Sequence, residues 1–341
     1  MLRRALGALL AAALAAGVLT ACSSSGGGGD RLTVYSGRQQ ELIAPLLKDF
    51  SDQTGIGIDV RYGDSADLAL LIDEEGDRSP ADVFLSQSPG AVGFLDSKGR
   101  LAALPASTLD QVDARFRSRD GRWVGISGRV RVLVYNTANV NPSDLPQSVF
   151  DLTEPRFRGK VGVAPPNASF QDFVTAMREI AGDDRTLEWL RGMEANGSPT
   201  YANNIAIVEA VGRGEIPFGI VNHYYNEEVK ADDPDAPSAN YLFPNADLGS
   251  LVLVTAAGVL DTAGDHKTDA ERFVEFLLTR KAQEFYAKET LEYPLAAGVA
   301  PVVKDLPALS EIQSPSLDLS SLGGQLTRTK ELIEQSGLEQ G

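Results

Sequence analysis

Two adjacent tyrosines, Tyr224 and Tyr225, are the residues of this 341-residue chain whose type and placement point most directly to chemistry. An apolar run, residues 216–221, ends at Asn222 just before them, and a segment compatible with a helix follows. Neighbouring residues do not share a face of a regular helix or strand, but a backbone turn can bring both rings to one point. The sequence therefore predicts a strand-to-helix corner that presents two phenols.

The chemistry open to two phenols is binding of a hard metal ion. Phenolate oxygen suits a highly charged cation, as carboxylates suit magnesium and calcium, and Fe(III) is the obvious candidate. A free tyrosine loses its proton near pH 10, so a phenolate at pH 7 costs roughly 4 kcal/mol, which a trivalent cation readily supplies. The alternative is an amphipathic pair, with one ring packed and the other exposed with its hydroxyl in water. The two residues alone leave both interpretations open.

A second candidate site is the segment Asn167-Ala168-Ser169, which enters a predicted helix over residues 168–181. The first turn of a helix exposes unpaired backbone N–H groups, and the helix dipole adds to their attraction for an anion. Simple N-capping by Asn167 is the alternative interpretation of this segment.

The elements that must position these residues begin with a β-α-β-α-β-α succession. The predicted strands are 32–35, 58–62 and 82–85, and the predicted helices are 39–52, 66–75 and 90–98. This order indicates a mostly parallel sheet flanked by helices, in which ligands collect where strands end. Such ends lie at residues 36–39, 63–65 and 86–88.

A second α/β unit follows a long β-prone run at residues 123–135. That run exceeds the usual strand of about five or six residues, so we expect it to serve two sheets and to act as a hinge. The other predicted elements are strands at 160–164 and 251–259 and helices at 168–181, 185–194, 204–213, 269–288 and 321–335. We therefore expect two lobes joined by hinge strands, lobe 1 from 31–131 plus 255–305 and lobe 2 from 132–254 plus 306–341.

The N-terminus has the pattern of a secretory signal followed by a lipid attachment site. A basic start precedes an apolar run at 5–19, and the only cysteine, Cys22, follows Leu-Thr-Ala. This pattern resembles the lipobox of bacterial lipoproteins and implies removal of residues 1–21 and lipidation of Cys22. Residues 22–30 then form a Ser/Gly tether with a reach of roughly 15 Å. A plain secretory cleavage with an incidental cysteine is the alternative.

Composition and missing motifs exclude several classes of function. The chain has 47 acidic and 31 basic residues and a formal net charge of −16, which argues against a nucleic-acid partner. No apolar stretch after the signal is long enough to span a membrane. With two histidines, no cysteine besides Cys22, and no HExxH, GxSxG or P-loop pattern, we expect no enzyme.

Across nearly the whole mature chain, the sequence resembles the ferric-iron-binding solute-binding proteins of ABC transporters. The matching segments are TVYSG at 33–37, EGDRSPADVF at 75–84, SGR at 127–129, RGKVG at 158–162, NHYY at 222–225 and EYPL at 292–295. Their number, order and spacing carry the resemblance. It implies a two-lobed α/β fold of the periplasmic-binding-protein type, an extracytoplasmic monomer anchored by lipid, and an ABC permease as partner.

The resemblance also implies the contents of the cleft between the lobes. Tyr224 and Tyr225 match the pair that binds Fe(III) together with a synergistic anion, phosphate or carbonate. The positions that match the anion site are Asn167, Ala168, Ser169, Asn204 and Asn222. We expect the protein to release protons when iron binds, and the lobes to close over the iron. We expect the permease to recognise the closed form.

Two positions depart from the family pattern. Many relatives supply a histidine where this chain has Gln39 and a glutamate where it has Gln87. A glutamine carbonyl is a neutral oxygen ligand and is much weaker for Fe(III) than a carboxylate. Tyr62, at the end of a predicted strand, is a candidate third phenolate, with a packing role as the alternative.

Three further residues are candidates for the cleft. His223 either touches the ligand or is only a neighbour of the helix cap, whereas His266 is expected at the surface. Arg38 and Arg129 could compensate the charge of the anion, although Arg129 could equally be a structural residue of the hinge. Because the histidine and the carboxylate are missing, the same fold binding a metal-free phosphonate, sugar phosphate or organic acid stays open as the alternative function.

Overall fold

The structure is a computed structural model that describes residues 31–296, 298–302 and 306–338. The predicted signal peptide, the lipidation of Cys22 and the tether lie outside the described residues. Within the described ranges, no helix combines the length and the apolar character needed to cross a membrane.

The described residues form nine strands and eleven α-helices. The strands are β1 (Arg31–Ser36), β2 (Gly57–Tyr62), β3 (Val83–Ser86), β4 (Trp123–Asn136), β5 (Val161–Gly162), β6 (Phe218–Asn222), β7 (Ser238–Tyr241), β8 (Val252–Val259) and β9 (Tyr293–Pro294). The helices are α1 (Ala44–Thr54), α2 (Ser65–Glu75), α3 (Pro89–Ser97), α4 (Ala106–Leu109), α5 (Ala168–Ala181), α6 (Asp183–Ala195), α7 (Asn204–Gly212), α8 (His223–Asp232), α9 (Lys267–Leu277), α10 (Arg280–Glu289) and α11 (Leu326–Ser336).

The strand order β2-β1-β3-β8-β4-β6-β5 confirms an α/β fold built around two sheets. Strand β4 serves both: its first half pairs with β8 in lobe 1, and its second half pairs with β6 and β7 in lobe 2. The sheets are mixed, which corrects the mostly parallel arrangement that we predicted. Parallel pairing is confined to β1 with β2 and β3 and to β5 with β6, because β4 and β8 run against their neighbours as they carry the chain between lobes.

Two apolar cores hold the lobes together internally. The first contains Phe84 and Trp123 and extends along the shared strands into α7 and β6. The second is confined to lobe 2 and is built around Phe170, Phe173 and Trp189, whose rings pack edge to face or tilted at centroid separations of 5.9–6.4 Å. Helix α5, which carries the predicted anion site, is therefore fixed by aromatic packing on its buried face.

Three of the predicted helices are wrong in their bounds. The helix predicted at 39–52 begins only at Ala44, because a 3₁₀ turn at Gln40–Leu42 precedes it. The single helix predicted at 269–288 is two helices, because Thr279 breaks it and caps α10 by accepting a hydrogen bond from the Ala282 N–H at 3.4 Å. The final helix begins at Leu326 rather than 321, since a 3₁₀ turn at Leu319–Leu322, capped by Asp318, precedes it.

That 3₁₀ turn also corrects the predicted division of the C-terminal segment. The turn packs on α3 of lobe 1. Trp123, at the start of β4, also donates through Nε1 to Ser320 Oγ of the turn at 3.2 Å. The chain joins lobe 2 only with α11, whose Thr329 contacts Thr175 of α5 at 2.8 Å. The close approach of the turn depends on Gly93, because a Cβ there would lie 2.6 Å from the Ser320 carbonyl oxygen. The other predicted lobe boundaries remain our proposal.

We expect Gly93→Ala to lower the free energy of unfolding by about 1–3 kcal/mol, because the new methyl group must displace the backbone of the 3₁₀ turn. Gly212→Ala is the matched control, since a Cβ at this helical position meets nothing within 4 Å. It should leave stability unchanged or raise it by up to about 1 kcal/mol. Urea unfolding of both variants checks this, and equal stability of the two would contradict the packing argument.

Candidate metal and anion site

The predicted corner beneath the tyrosine pair is present. Strand β6 ends at Asn222, and Tyr224 and Tyr225 lie in the first turn of α8. Their ring centroids are 4.2 Å apart, with 38° between the ring planes. Tyr224 is 9 % exposed and Tyr225 is half-buried, so the structure brings both rings to one place.

The electrostatic setting of Tyr224 favours a neutral phenol. Burial raises the pKa of Tyr224 well above its usual value, and the proximity of Tyr225 raises it further. The position at the N-terminus of α8 works in the other direction, because the helix dipole favours negative charge there. A bound cation would shift the equilibrium from phenol to phenolate, since its charge dominates the local field.

The polar residues of the predicted anion site converge at the start of α5. Asn167 caps this helix, because its Oδ1 accepts from the Ser169 N–H at 3.0 Å. From α7, buried Asn204 donates through Nδ2 to Asn167 Oδ1 at 3.1 Å and to Ser169 Oγ at 3.0 Å. The Oδ1 atom of Asn204 is buried without a partner. Ala168 is exposed at the first position of the helix.

Arg131 is the residue of this site that our sequence interpretation missed. Its side chain is 2 % exposed, and Nη1 donates to Ser169 Oγ at 3.3 Å and to Asn222 Oδ1 at 3.2 Å. The guanidinium lies 5.2 Å from the centroid of the Phe173 ring, and its Nε and Nη2 atoms are buried without a hydrogen-bond partner. A buried guanidinium with unmatched N–H groups is costly, and this arrangement therefore points to an acceptor that a ligand supplies.

The position of Arg131 follows from strand pairing. Strand β4 places it directly opposite Asn222 in the register with β6, next to the tyrosine corner. Burial lowers its pKa to about 10, with the charges of Tyr225 and Tyr224 opposing that shift, so the guanidinium stays protonated at neutral pH. A signal was available in the sequence, because Arg129 and Arg131 alternate within an otherwise apolar strand and so share one face.

The two other predicted arginines already have anionic partners. Arg38 is 1 % exposed, and its Nη2 lies 2.9 Å from Glu292 Oε2. Arg129 lies 3.7 Å from Asp172 Oδ2 and donates to the backbone carbonyl of Gln87. The Nε atom of Arg38 is also buried without a hydrogen-bond partner. Arg131 differs from both in having two such nitrogens and, among the described residues, no carboxylate paired with it.

The residues predicted to face the pair from lobe 1 are less engaged. Gln39 is exposed, and Tyr62 is 36 % exposed at the end of β2. Gln87 is half-buried, and its backbone N–H donates to Ser65 Oγ at 3.0 Å. The contribution of these three side chains to a ligand shell stays a prediction.

His223 is buried and uses both ring nitrogens within the protein. Its Nδ1 accepts from the Val130 N–H at 3.2 Å, and its Nε2 pairs with the Leu291 carbonyl at 3.0 Å. Leu291 presents that carbonyl from a left-handed conformation, with φ of 54°. These two bonds fix the start of α8 to β4 and to the segment before β9, so His223 positions the tyrosine helix and leaves no nitrogen for a ligand in this conformation.

Carboxylates and imidazoles provide no other obvious metal site. Within the described residues, no group of three or more His, Cys, Asp or Glu side chains is arranged to hold a metal ion. The tyrosine pair, with the buried cation of Arg131 beside it, is the candidate on which the geometry converges.

Comparison with known proteins places the chain in a family. A profile of bacterial extracellular solute-binding proteins matches residues 78–319. The chain belongs to that family. It is 31 % identical over 310 residues to the Fe(3+)-binding periplasmic protein of Serratia marcescens, with 90 % of each chain covered.

Solved structures agree with this assignment. The crystal structure of iron-bound HitA from Pseudomonas aeruginosa superposes with a TM-score of 0.82 at 33 % identity, covering 91 % of this chain and 100 % of HitA. The IdiA (FutA) protein of Trichodesmium, in complex with iron and citrate, gives a TM-score of 0.78 at 27 % identity, covering 90 % and 99 %. The two-lobed periplasmic-binding-protein fold of this solute-binding protein is confirmed.

The neutral, buried state of His223 predicts a pH dependence of stability. Burial lowers its pKa from 6.5 to about 4. Between these pH values the imidazole is protonated in the unfolded chain and neutral in the folded protein. The resulting contribution to the free energy of unfolding is fully present above pH 6.5. It is lost as the pH falls toward 4, to a total of about 3 kcal/mol. Urea unfolding of the iron-free binding protein between pH 7 and pH 4 measures this slope.

His223→Gln should flatten the slope, because glutamine can accept from Val130 and donate to Leu291 without titrating. His266→Gln is the control, since the other histidine has a side chain that is 44 % exposed. An unchanged slope in His223→Gln would show that the buried imidazole does not carry the effect.

Proposed function

We propose that this solute-binding protein captures Fe(III) outside the cytoplasm, together with a synergistic anion, and delivers it to the permease of an ABC transporter. The proposed iron ligands are the phenolates of Tyr224 and Tyr225. The proposed anion, phosphate or carbonate, is held by Arg131 and by the start of α5. Attachment to the membrane through lipidated Cys22, and a monomeric state, belong to the same proposal.

One observation carries this proposal: two phenols at a helix N-terminus lie beside a buried arginine, Arg131, whose Nε and Nη2 atoms have no hydrogen-bond acceptor. A divalent anion and two phenolates carry one more negative charge than Fe(III) is positive. Arg131 supplies the balancing positive charge. The names of the relatives in Serratia and Pseudomonas, which bind iron, support the same cargo.

Binding would proceed with loss of protons from the phenols. The raised pKa of Tyr224 means that its ring is protonated before iron arrives, so the metal must displace that proton. Capture should therefore weaken in acid. The anion would accept hydrogen bonds from the unpaired N–H groups of Arg131 and from the backbone N–H groups at the start of α5. It would thereby complete the iron coordination shell on the side of lobe 2.

The purified protein with Fe(III) and phosphate should be coloured by charge transfer from tyrosinate to iron. Tyr224→Phe and Tyr225→Phe should each lose most of the colour and lower iron affinity by more than about 100-fold, because each removes an anionic ligand. Visible spectroscopy and competition with a chelator measure both effects.

Tyr241→Phe is the matched control, since this hydroxyl donates to the Pro146 carbonyl at 2.8 Å, away from the corner. It should keep colour and affinity. Retention of both in Tyr225→Phe would refute the site, and tight binding of phosphate without metal would favour the metal-free anion instead. Tyr62→Phe tests the third phenolate. If Tyr62 is an iron ligand, its loss should shift the charge-transfer band.

Arg131→Gln should weaken iron binding in phosphate by roughly 30-fold or more, because the anion loses a charged partner. The iron-free variant should be no less stable than the wild type, since the substitution removes a buried charge that lacks a full set of acceptors. Calorimetry in phosphate, in carbonate and without either anion, paired with urea unfolding, tests this. Arg156→Gln, at an exposed arginine, is the control.

A further inference from the structure

The proposed anion site contains a buried hydrogen-bond acceptor as well as buried donors. Asn204, the first residue of α7, is 1 % exposed, and its Oδ1 atom has no hydrogen-bond partner among the described residues. The Nε and Nη2 atoms of Arg131 are the unpaired donors. Because buried polar groups in folded proteins are almost always hydrogen-bonded, the unpaired acceptor requires its own explanation.

The identity of the unpaired Asn204 atom follows from the hydrogen bonds around it. The backbone N–H of Ser169 donates to the side chain of Asn167 at 3.0 Å, so the Asn167 atom that it reaches must be the oxygen. Asn204 approaches that same oxygen at 3.1 Å, and it can do so favourably only with its NH₂ group. A backbone donor thereby fixes the orientation of both amides, and the Asn204 atom without a partner is the carbonyl oxygen.

The side chains with unpaired atoms meet at one hydroxyl group. Asn204 Nδ2 donates to Ser169 Oγ at 3.0 Å, and Arg131 Nη1 donates to the same oxygen at 3.3 Å. Ser169 Oγ itself donates to Asn167 Oδ1 at 2.6 Å, so this hydroxyl has no further proton to donate. The described residues thus supply no donor to Asn204 Oδ1, although Arg131 has unpaired N–H groups and binds the same hydroxyl.

A ligand that pairs with all of these atoms must present both acceptors and a donor. The oxygens of an oxyanion can accept from Arg131 and from the first turn of α5, but only an oxyanion that keeps a hydroxyl can donate to Asn204. Hydrogen phosphate keeps such a hydroxyl at neutral pH, whereas sulfate and the carbonate dianion have none. An anion without a hydroxyl would leave the buried carbonyl oxygen unpaired, which carries the full desolvation penalty of that group.

We propose that Asn204 selects a synergistic anion that carries a hydroxyl, as hydrogen phosphate does, over anions of the same charge and shape that lack one. This selection rests on the proposed function, because it concerns the anion that accompanies Fe(III). Asn204 is a specificity-determining residue: its Nδ2 orders Asn167 and Ser169, and its Oδ1 accepts the hydrogen bond from the ligand hydroxyl.

Three tetrahedral dianions test this selection with the wild-type protein. Hydrogen phosphate is compared with monofluorophosphate, in which fluorine replaces the hydroxyl, and with sulfate, at a slightly alkaline pH. Formation of the coloured iron complex in competition with a chelator gives the half-maximal concentration of each anion, and calorimetry gives its affinity for the iron-free protein. We expect hydrogen phosphate to act at a concentration at least about tenfold lower than the other two, since a site that pairs with a hydroxyl penalises its loss.

Asn204→Ala removes the acceptor and should bring the preference for hydrogen phosphate over monofluorophosphate to within about threefold of unity, as in a cycle of residue and ligand changes. Asn203→Ala is the matched control, because exposed Asn203 caps the same helix by accepting from the Ala206 N–H at 2.9 Å. It should keep the wild-type preference. The ratio is measured within each protein, so a general loss of affinity does not change it, and the wild-type anion series requires no variant to fold.

Equal potency of hydrogen phosphate and monofluorophosphate in the wild type would overturn the selection, and so would a wild-type preference in Asn204→Ala. Either result would mean that Asn204 Oδ1 is satisfied without a ligand hydroxyl. Failure of the proposed function is distinguishable, because it would give no coloured complex with any of the three anions. Calorimetry of the iron-free protein would then still decide the selection, since it requires no metal.

Discussion

The arrangement of the candidate site depends on two arginines, Arg129 and Arg131. Both lie on β4, the strand that the two sheets share. Each is buried in an apolar strand, and a buried charge is tolerated only when partners compensate it. For Arg129 the fold supplies the carboxylate of Asp172, the backbone carbonyl of Gln87 and the hydroxyl of Thr255. For Arg131 it supplies two oxygen acceptors and leaves the remaining N–H groups open. The incomplete set of partners marks the place where a ligand belongs.

The tyrosine corner and this cation are held in one frame by β4, β6 and α8. His223 fastens the start of α8 to the β4 backbone, and the pairing of β4 with β6 brings Arg131 opposite the end of β6. A neutral imidazole suits this role, because it can donate and accept at once without placing a further positive charge near the proposed metal site. The geometry of the phenols therefore depends on contacts made one residue away from them.

The two lobes contribute unequally to the site. The phenols, the amides of the proposed anion site and Arg131 all lie on lobe 2 or on the shared strand, whereas lobe 1 offers exposed or half-buried glutamines and Tyr62. A ligand can thus be gathered on lobe 2 first, with lobe 1 closing over it as a cover.

Local pattern in the sequence by itself determined the corner at Tyr224, the cap at Asn167 and the long shared strand, because each depends on neighbours within a few residues. It also determined the family, through short segments in a fixed order. Only the tertiary structure decided the contacts of Arg131 and the pairing of Arg129 with Asp172. Those contacts join residues far apart in the chain, so register and packing, which no local pattern encodes, select them.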